Sequence, residues 1–223
     1  MQPVLVIDVG GTHVKVLASG VEEPRRIDSG PTLHAEVMTK AVIPLVADWT
    51  WDAVSIGIPA PVHGGRVVAE PVNLGSGWVG YDFAAAFGKP VRVVNDAAMQ
   101  ALGSYESGKM LFLGLGTGLG SALVADGYVQ PMELGHLPFR KKTFEDYVGE
   151  RALEKRGKKR WRADVLDAVR ALSAALEPDY VVLGGGNAKL LNELPDGVVL
   201  GDNANAFKGG FRLWDDAAPA RIA

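Results

Sequence analysis

Cysteine is absent from all 223 residues. That excludes disulfides, a thiolate nucleophile and any Cys-ligated zinc. Long apolar runs are missing too: none approaches the roughly eighteen residues a membrane helix needs. The opening Met1-Gln2-Pro3 lacks the basic stretch and apolar core of a secretory signal. Net charge is small, at −3, which gives no reason to expect nucleic acid as a partner. The expectation is a cytoplasmic protein with neither membrane nor nucleic-acid partners. What is present is 48% apolar and 22% charged residues, an ordinary globular composition long enough for one large domain or two lobes with real cores.

The most informative stretch is Asp8-Val-Gly-Gly-Thr-His-Val-Lys15, directly after the apolar run Val4–Ile7. A buried strand ending in Asp-X-Gly-Gly-Thr gives a tight turn whose amides can face a phosphate, with glycines free to take positive φ and Thr12 adding a hydroxyl. Asp8 at the strand end can hold a hydrated Mg²⁺. A Gly-Gly turn between strands is commonly just a hairpin. Its significance grows because a second glycine loop, Leu113-Gly-Leu-Gly-Thr-Gly-Leu-Gly-Ser121, follows about a hundred residues on. There Thr117 can donate to an oxyanion, and the spacing is not the dinucleotide fingerprint. Gly103 to Met110 nearly matches a P-loop but fails, since Met110 cannot ligate Mg²⁺ and the helix precedes the strand.

Periodicity predicts strands at Val4–Asp8, His13–Ala18, Arg25–Asp28, Ala53–Ile58, Arg66–Ala69 and Val91–Val94. Helices are expected at Leu33–Trp49 (bent or shortened by Pro44), Tyr81–Phe87 and from Ala97. The second half repeats this grammar, with strands at Met110–Leu115, Ser121–Ala125, Tyr180–Leu183 and Val198–Leu200. Its helices are expected at Phe144–Glu154, Arg162–Leu176 and Asn203–Asp215. Two halves, each opening strand–glycine turn–strand, imply a pseudo-repeated two-lobe α/β protein with a ligand cleft between lobes. The expected lobes are residues 1–103, completed by 203–223, and residues 104–202.

Other residues suggest chemistry. Asn95-Asp96 closes a buried strand, where Asp96 can take a hydroxyl proton and Asn95 orient the acceptor; Asn-Asp is equally a common helix cap. Glu133-Leu-Gly-His136 sets a carboxylate and an imidazole three residues apart, a suitable clamp for vicinal sugar hydroxyls. From Arg140 to Arg162 ten Lys/Arg stand against four acids, about +6, leaving about −9 elsewhere. That segment reads either as a solvated face or as a surface for a polyanion such as a phosphate donor.

These motifs occur in a recognisable order: Asp8-X-Gly-Gly-Thr-X-X-Lys15, Gly57-Ile-Pro-Ala-Pro-Val62, Asn73-Leu74 with Trp78, Asn95-Asp96, Gly116-Thr-Gly-Leu-Gly-Ser121, Glu133-Leu-Gly-His136 and Gly184-Gly-Gly186. Together they resemble the ROK sugar kinases, and within them the polyphosphate glucokinase branch. The resemblance implies a two-lobe actin-like/hexokinase (ribonuclease H-like) fold with an inter-lobe cleft and a compact C-terminal lobe. It implies Asp96 as the base for a sugar 6-hydroxyl, with Asn73, Asn95, Glu133, His136 and Glu145 binding sugar. Asp8, Gly10, Gly11, Thr12, Lys15, Gly116, Thr117 and Gly118 would cradle phosphates, Asp8 also serving the Mg²⁺. Gly184, Gly185 and Gly186 would meet a nucleotide.

Departures from the family pattern matter as well. Most members carry a Cys-X-Cys-Gly-X-X-Gly-Cys zinc segment after Glu-X-Gly-His; here Arg140-Lys141-Lys142 stands instead, so no zinc is expected, and this favours the polyphosphate branch. Ala60 replaces a usual glycine and threatens to crowd a sugar-facing backbone. The interval from Glu145 to Gly184 is short for the family. The expected activity is phosphoryl transfer from polyphosphate or ATP to glucose or a related hexose. The expected partners are those small molecules, with a homodimer left open. The alternatives are a ROK-type sugar-binding protein without kinase activity, against which Asp96 argues, and a kinase for an N-acyl hexosamine.

Overall fold

In the computed structural model, which describes residues 2–202 and 204–222, the apolar run after Pro3 forms β1 (Val4–Val9), with every side chain but Asp8 buried. The Gly-Gly turn returns it as β2 (His13–Ala18), and β3 (Arg25–Asp28) pairs outside that. Next, α1 (Ala35–Leu45) ends one residue past Pro44, short of Trp49, because proline breaks the backbone ladder. β4 (Ala53–Ile58) is buried throughout. A small hairpin follows, β5 (Val62–His63) with β6 (Arg66–Val67). Asp82 accepts the Ala85 N–H to start α2 (Phe83–Phe87), which Gly88 ends at φ +62°. β7 (Val91–Asn95) runs directly into α3 (Asp96–Ser104).

The second half opens with a meander, β8 (Met110–Leu115), β9 (Leu119–Ala125) and β10 (Tyr128–Met132). A short hairpin, β11 (Pro138–Phe139) with β12 (Lys142–Thr143), precedes α4 (Glu145–Val148), α5 (Glu150–Arg156) and α6 (Lys158–Leu176). Periodicity predicts one helix over 144–154; the chain instead breaks at Gly149, where a Cβ would lie 2.9 Å from the Thr117 carbonyl and 3.0 Å from that of Glu145. Then come β13 (Tyr180–Gly184), β14 (Val198–Leu200), α7 (Asn205–Arg212) and β15 (Arg221–Ile222). The expected last helix begins at Asn203, which lies outside the described residues, as does Ala223 at the end of the expected 203–223 segment.

Two units result, one of Met1–Met99 with Ala206–Ala218, the other of Gln100–Asn205 with Pro219–Ala223. The first holds the sheet β3-β2-β1-β4-β7, the second β14-β13-β8-β9-β10-β15. The two sheets share one plan. Three antiparallel strands lead to parallel β1-β4-β7 in the first and to parallel β8-β13-β14 in the second. In each, the central parallel strands are nearly all buried, as sheets covered on both faces require. The chain end departs from the expected lobe plan. α7 covers the first sheet, its Gly210 so close to β1 that a Cβ would meet Val6 Cγ1 at 2.3 Å. β15 instead pairs with β10 in the second unit, covering what would be an open edge.

Candidate active site

In the first unit the register brings the functional groups to one edge. Asp8 pairs with Gly57 across β1 and β4, and Ile58 pairs with Asn95 across β4 and β7. Asp8 and Asp96 thus lie at the carboxyl ends of parallel strands two apart, roughly 10 Å in the pairing direction. Ligands of α/β sheets bind at that edge. Gly57 is required there: a Cβ would collide with Met99 Cε at 2.4 Å and lie 3.4 Å from Asp96 Cα. Its absence lets α3 sit against β4 and carry Asp96, half-buried, at the helix start.

Asn95 is 9% exposed, and its amide is engaged at both ends. Oδ1 accepts the Ala98 N–H at 3.1 Å, capping α3, and Nδ2 donates to the Ala60 carbonyl at 3.2 Å. Ala60 itself is 4% exposed and its methyl joins the hydrophobic core, so the crowding expected of it is directed inward. Asn73 is exposed in the loop after β6. Glu70 shapes that loop by accepting the N–H groups of Gly77, Trp78 and Val79.

The turn Gly10–Thr12 differs from its expected form. Neither Gly10 nor Gly11 takes positive φ. What glycine supplies at 10 is closeness, since a Cβ would lie 3.0 Å from the His13 carbonyl, to which the Gly10 N–H donates at 3.0 Å. The Thr12 carbonyl accepts the Ser29 N–H at 2.9 Å, and the buried Ser29 Oγ finds no protein partner. Such an atom is one that a ligand or water satisfies. Nothing in the sequence around Ser29 marks it as a site residue.

Asp8 faces Lys15 across β1 and β2. Half-buried at the strand end, its carboxyl is pushed up to about 6 by desolvation, with the Lys15 ammonium pulling the other way. Among the described residues no three His or carboxylate side chains are placed to hold a metal. A divalent ion here would therefore rest on no more than two such side chains, completed by water and substrate oxygens, an arrangement that suits Mg²⁺. The raised value has a stability consequence. Folding favours protonated Asp8, an advantage present at pH 4 and lost as pH rises through about 6, leaving a cost of about 2–3 kcal/mol above it. In metal-free buffer Asp8→Asn should accordingly raise the melting temperature at pH 8 more than at pH 4. An equal change at both, measured by calorimetry, would remove the burial argument.

In the second unit, loop Gly116–Gly118 follows β8 and is anchored from behind. The Glu150 N–H at the start of α5 donates to the carbonyls of Gly116 (3.0 Å) and Thr117 (3.2 Å). Gly116 has no neighbour within 4 Å of a would-be Cβ, so open space lies on that side. Its own N–H, however, donates to the Gly118 carbonyl at 3.2 Å, so the expected row of aligned amides is shorter than the glycine spacing suggests. Thr117 is exposed. Beside this loop, Gly185 at φ +82° lies where a Cβ would meet the Leu115 carbonyl oxygen at 2.5 Å, and the Asn187 N–H donates to that oxygen at 3.0 Å. Gly184–Gly186 is thereby docked on the base of the loop, with open space beside Gly186.

Glu133, His136 and Glu145 converge at the same loop. Glu145 Oε2 accepts the Leu119 N–H at 3.3 Å and lies where a Gly118 Cβ would be only 2.2 Å away. Gly135 lets the Glu-X-Gly-His turn approach, its would-be Cβ 3.0 Å from the Leu119 carbonyl and 3.6 Å from Glu145 Cβ. Glu133 and His136 stand 3.8 Å apart. The Glu133 carboxyl is raised by desolvation, lowered by His136 and raised again by Glu145. A donor-and-acceptor cluster of this kind is chemically suited to a polyhydroxy ligand, and Glu145 lies beside both Gly135 and the glycine loop.

Comparison with known proteins follows the same lines. A sequence profile of the ROK family matches residues 4–163. The polyphosphate glucokinase of Mycobacterium tuberculosis (strain ATCC 25177 / H37Ra) is 27% identical over 210 residues, covering 81% of this chain and 76% of the relative. The inorganic polyphosphate/ATP-glucomannokinase from Arthrobacter sp. strain KM superposes with a TM-score of 0.82 at 25% identity, over 94% of this chain and 97% of that one. A ROK family glucokinase from Streptomyces griseus, solved with glucose and AMPPNP, gives 0.71 at 18% identity over 93% and 97%, a likeness of fold.

Proposed function

This chain belongs to the ROK family and is a phosphotransferase of the hexokinase type, and we propose that it moves a phosphoryl group from polyphosphate or ATP to the 6-hydroxyl of glucose or a closely related hexose. The observation that carries this reading is the register that sets Asp8 and Asp96 along one carboxyl edge, with Asp96 at the start of α3.

In this mechanism the sugar rests on Asn73, Asn95, Glu133, His136 and Glu145. Asp96 accepts the 6-hydroxyl proton as the oxygen attacks phosphorus. Thr12, Lys15 and Thr117, with the amides around Gly10, Gly11 and Gly118, hold the transferring phosphates. When bound, Mg²⁺ would be held by Asp8 and would neutralise charge on the phosphate oxygens. Most of the acceleration then comes from positioning and from donors preset toward the equatorial oxygens. With ATP as donor, Gly184–Gly186 would border the nucleoside. The reaction belongs in the cytoplasm, where such donors are made.

A coupled assay of a hexose panel against ATP and polyphosphate tests this. Activity confined to N-acetylated hexosamines would replace glucose as the acceptor, and sugar binding without any turnover would make the protein a sensor. Thr117→Val should raise the donor KM about tenfold or lower kcat comparably while leaving the sugar KM within about twofold. A loss felt mainly in the sugar KM would remove Thr117 from the donor side.

A further inference from the structure

Two sets stand out among the ten cations from residue 140 to residue 162. Arg140 and Arg156 are held by the buried Asp164, and Arg140 also by Asp167. Arg151, Lys155, Lys158, Lys159 and Arg160 are all exposed. Among the described residues none of these five lies within 4.0 Å of a carboxylate.

Their placement follows a line. α5 starts on the glycine loop, through the Glu150 N–H bonds to Gly116 and Thr117. Arg151 is the next residue, and Lys155 lies one turn further along the same face, about 6 Å away. α5 runs for about 10 Å before Gly157 leads into Lys158. Three cations at the positive end of α6 is an unfavourable arrangement. That helix has Gly157 as its N-cap, no side-chain cap and no acid in its first turn. Among the described residues no carboxylate forms an ion pair with these three cations. Glu150 and Glu154 offset part of it, leaving five cations against two acids. The Asp164 hub adds Lys141 and Lys142, because Arg140 pins the β11–β12 hairpin to α6.

We propose that Arg151, Lys155, Lys158, Lys159 and Arg160 form a track for the distal phosphates of a long-chain inorganic polyphosphate whose reacting end lies at Gly116–Gly118. A linear polyanion fits a row of cations spaced along a helix and across a turn, whereas a nucleoside triphosphate has only three phosphates to set against five cations. The chemistry at the loop end rests on the kinase reading above; the binding surface does not.

The experiment compares wild type with Lys158→Gln/Lys159→Gln/Arg160→Gln. Equilibrium binding of labelled long-chain polyphosphate and of triphosphate is measured across salt concentrations, with kinetics on ATP in parallel. The expected result for the variant is at least about tenfold weaker long-chain binding and a salt slope reduced by roughly one per cation removed. Triphosphate binding and the ATP rate should be unchanged. Long chains binding no better than triphosphate, a variant that binds as wild type does, or an equally charged oligonucleotide binding as tightly as polyphosphate would each overturn the track. Should no donor support turnover while chain-length-dependent binding persists and is lost in the variant, the kinase reading fails and the track stands.

Discussion

Asp96→Asn should lower kcat by about a hundredfold or more while leaving the hexose dissociation constant within about threefold. Asparagine fills the same space and can hydrogen-bond the acceptor hydroxyl, but it cannot take the proton. The location explains why the carboxylate is ready to act. Asp96 opens α3 directly at the carboxyl end of β7, so the strand and the helix together fix where its carboxylate sits. Asn95 caps that helix and ties it to the Ala60 carbonyl, and Gly57 lets it approach β4. The substitution removes the charge and leaves all three supports. Calorimetric titration with glucose and steady-state kinetics on the same preparation read the two effects separately. A kcat within tenfold of wild type would place the base elsewhere, and a matched loss of sugar affinity would make Asp96 a binding group.

Long, strongly patterned features were legible in the sequence. The run Val4–Ile7 before a Gly-Gly turn, the six apolar-rich residues of β4 and the repeated opening at β8 carry enough periodicity to specify the two-sheet plan. Two-residue strands such as β5, β11 and β15 carry none, and pairing partners rather than propensity define them. Glycine was harder to interpret. At Gly10, Gly11, Gly116 and Gly118 no positive φ is present. At Gly57, Gly118 and Gly149 the missing Cβ makes room for Met99, Glu145 and the Thr117 carbonyl, contacts that lie 27 to 42 positions apart in the chain and leave no local signature. The candidate site followed the same division. Glu133 and His136 announce themselves by spacing, whereas the seat of Glu145 on the Leu119 N–H depends on how α4 returns to β9.

The segment where the resembled family carries zinc ligands is held here by charge, and its removal should be costly. Asp164, 3% exposed, accepts from Arg140 Nη1 at 2.5 Å and from Arg156 Nε at 2.8 Å. Arg140 also bonds Asp167 and lies over Phe139 (4.9 Å) and Tyr147 (5.2 Å), while Arg156 covers Tyr147 at 5.1 Å. One carboxylate thus joins the β11–β12 hairpin, the end of α5 and the face of α6. Asp164→Ala leaves two guanidinium groups without their buried partner, beside further cations. It should cost about 3–5 kcal/mol, or about 10 °C in melting temperature. Urea titration followed by circular dichroism reads the loss, and Trp161, fully buried nearby and donating from Nε1 to the Val148 carbonyl at 2.7 Å, adds this unit's share to the fluorescence of the five tryptophans. A loss below about 1 kcal/mol would mean that solvent carries these arginines without help from Asp164. The companion variant separates pairing from packing. Replacing all three at once, Arg140→Met/Arg156→Met/Asp164→Leu, leaves no orphaned charge and keeps apolar contact with Phe139 and Tyr147. Its stability should return to within about 1–2 kcal/mol of wild type. A triple variant as unstable as Asp164→Ala would show instead that the hub holds the hairpin by geometry that apolar side chains do not reproduce.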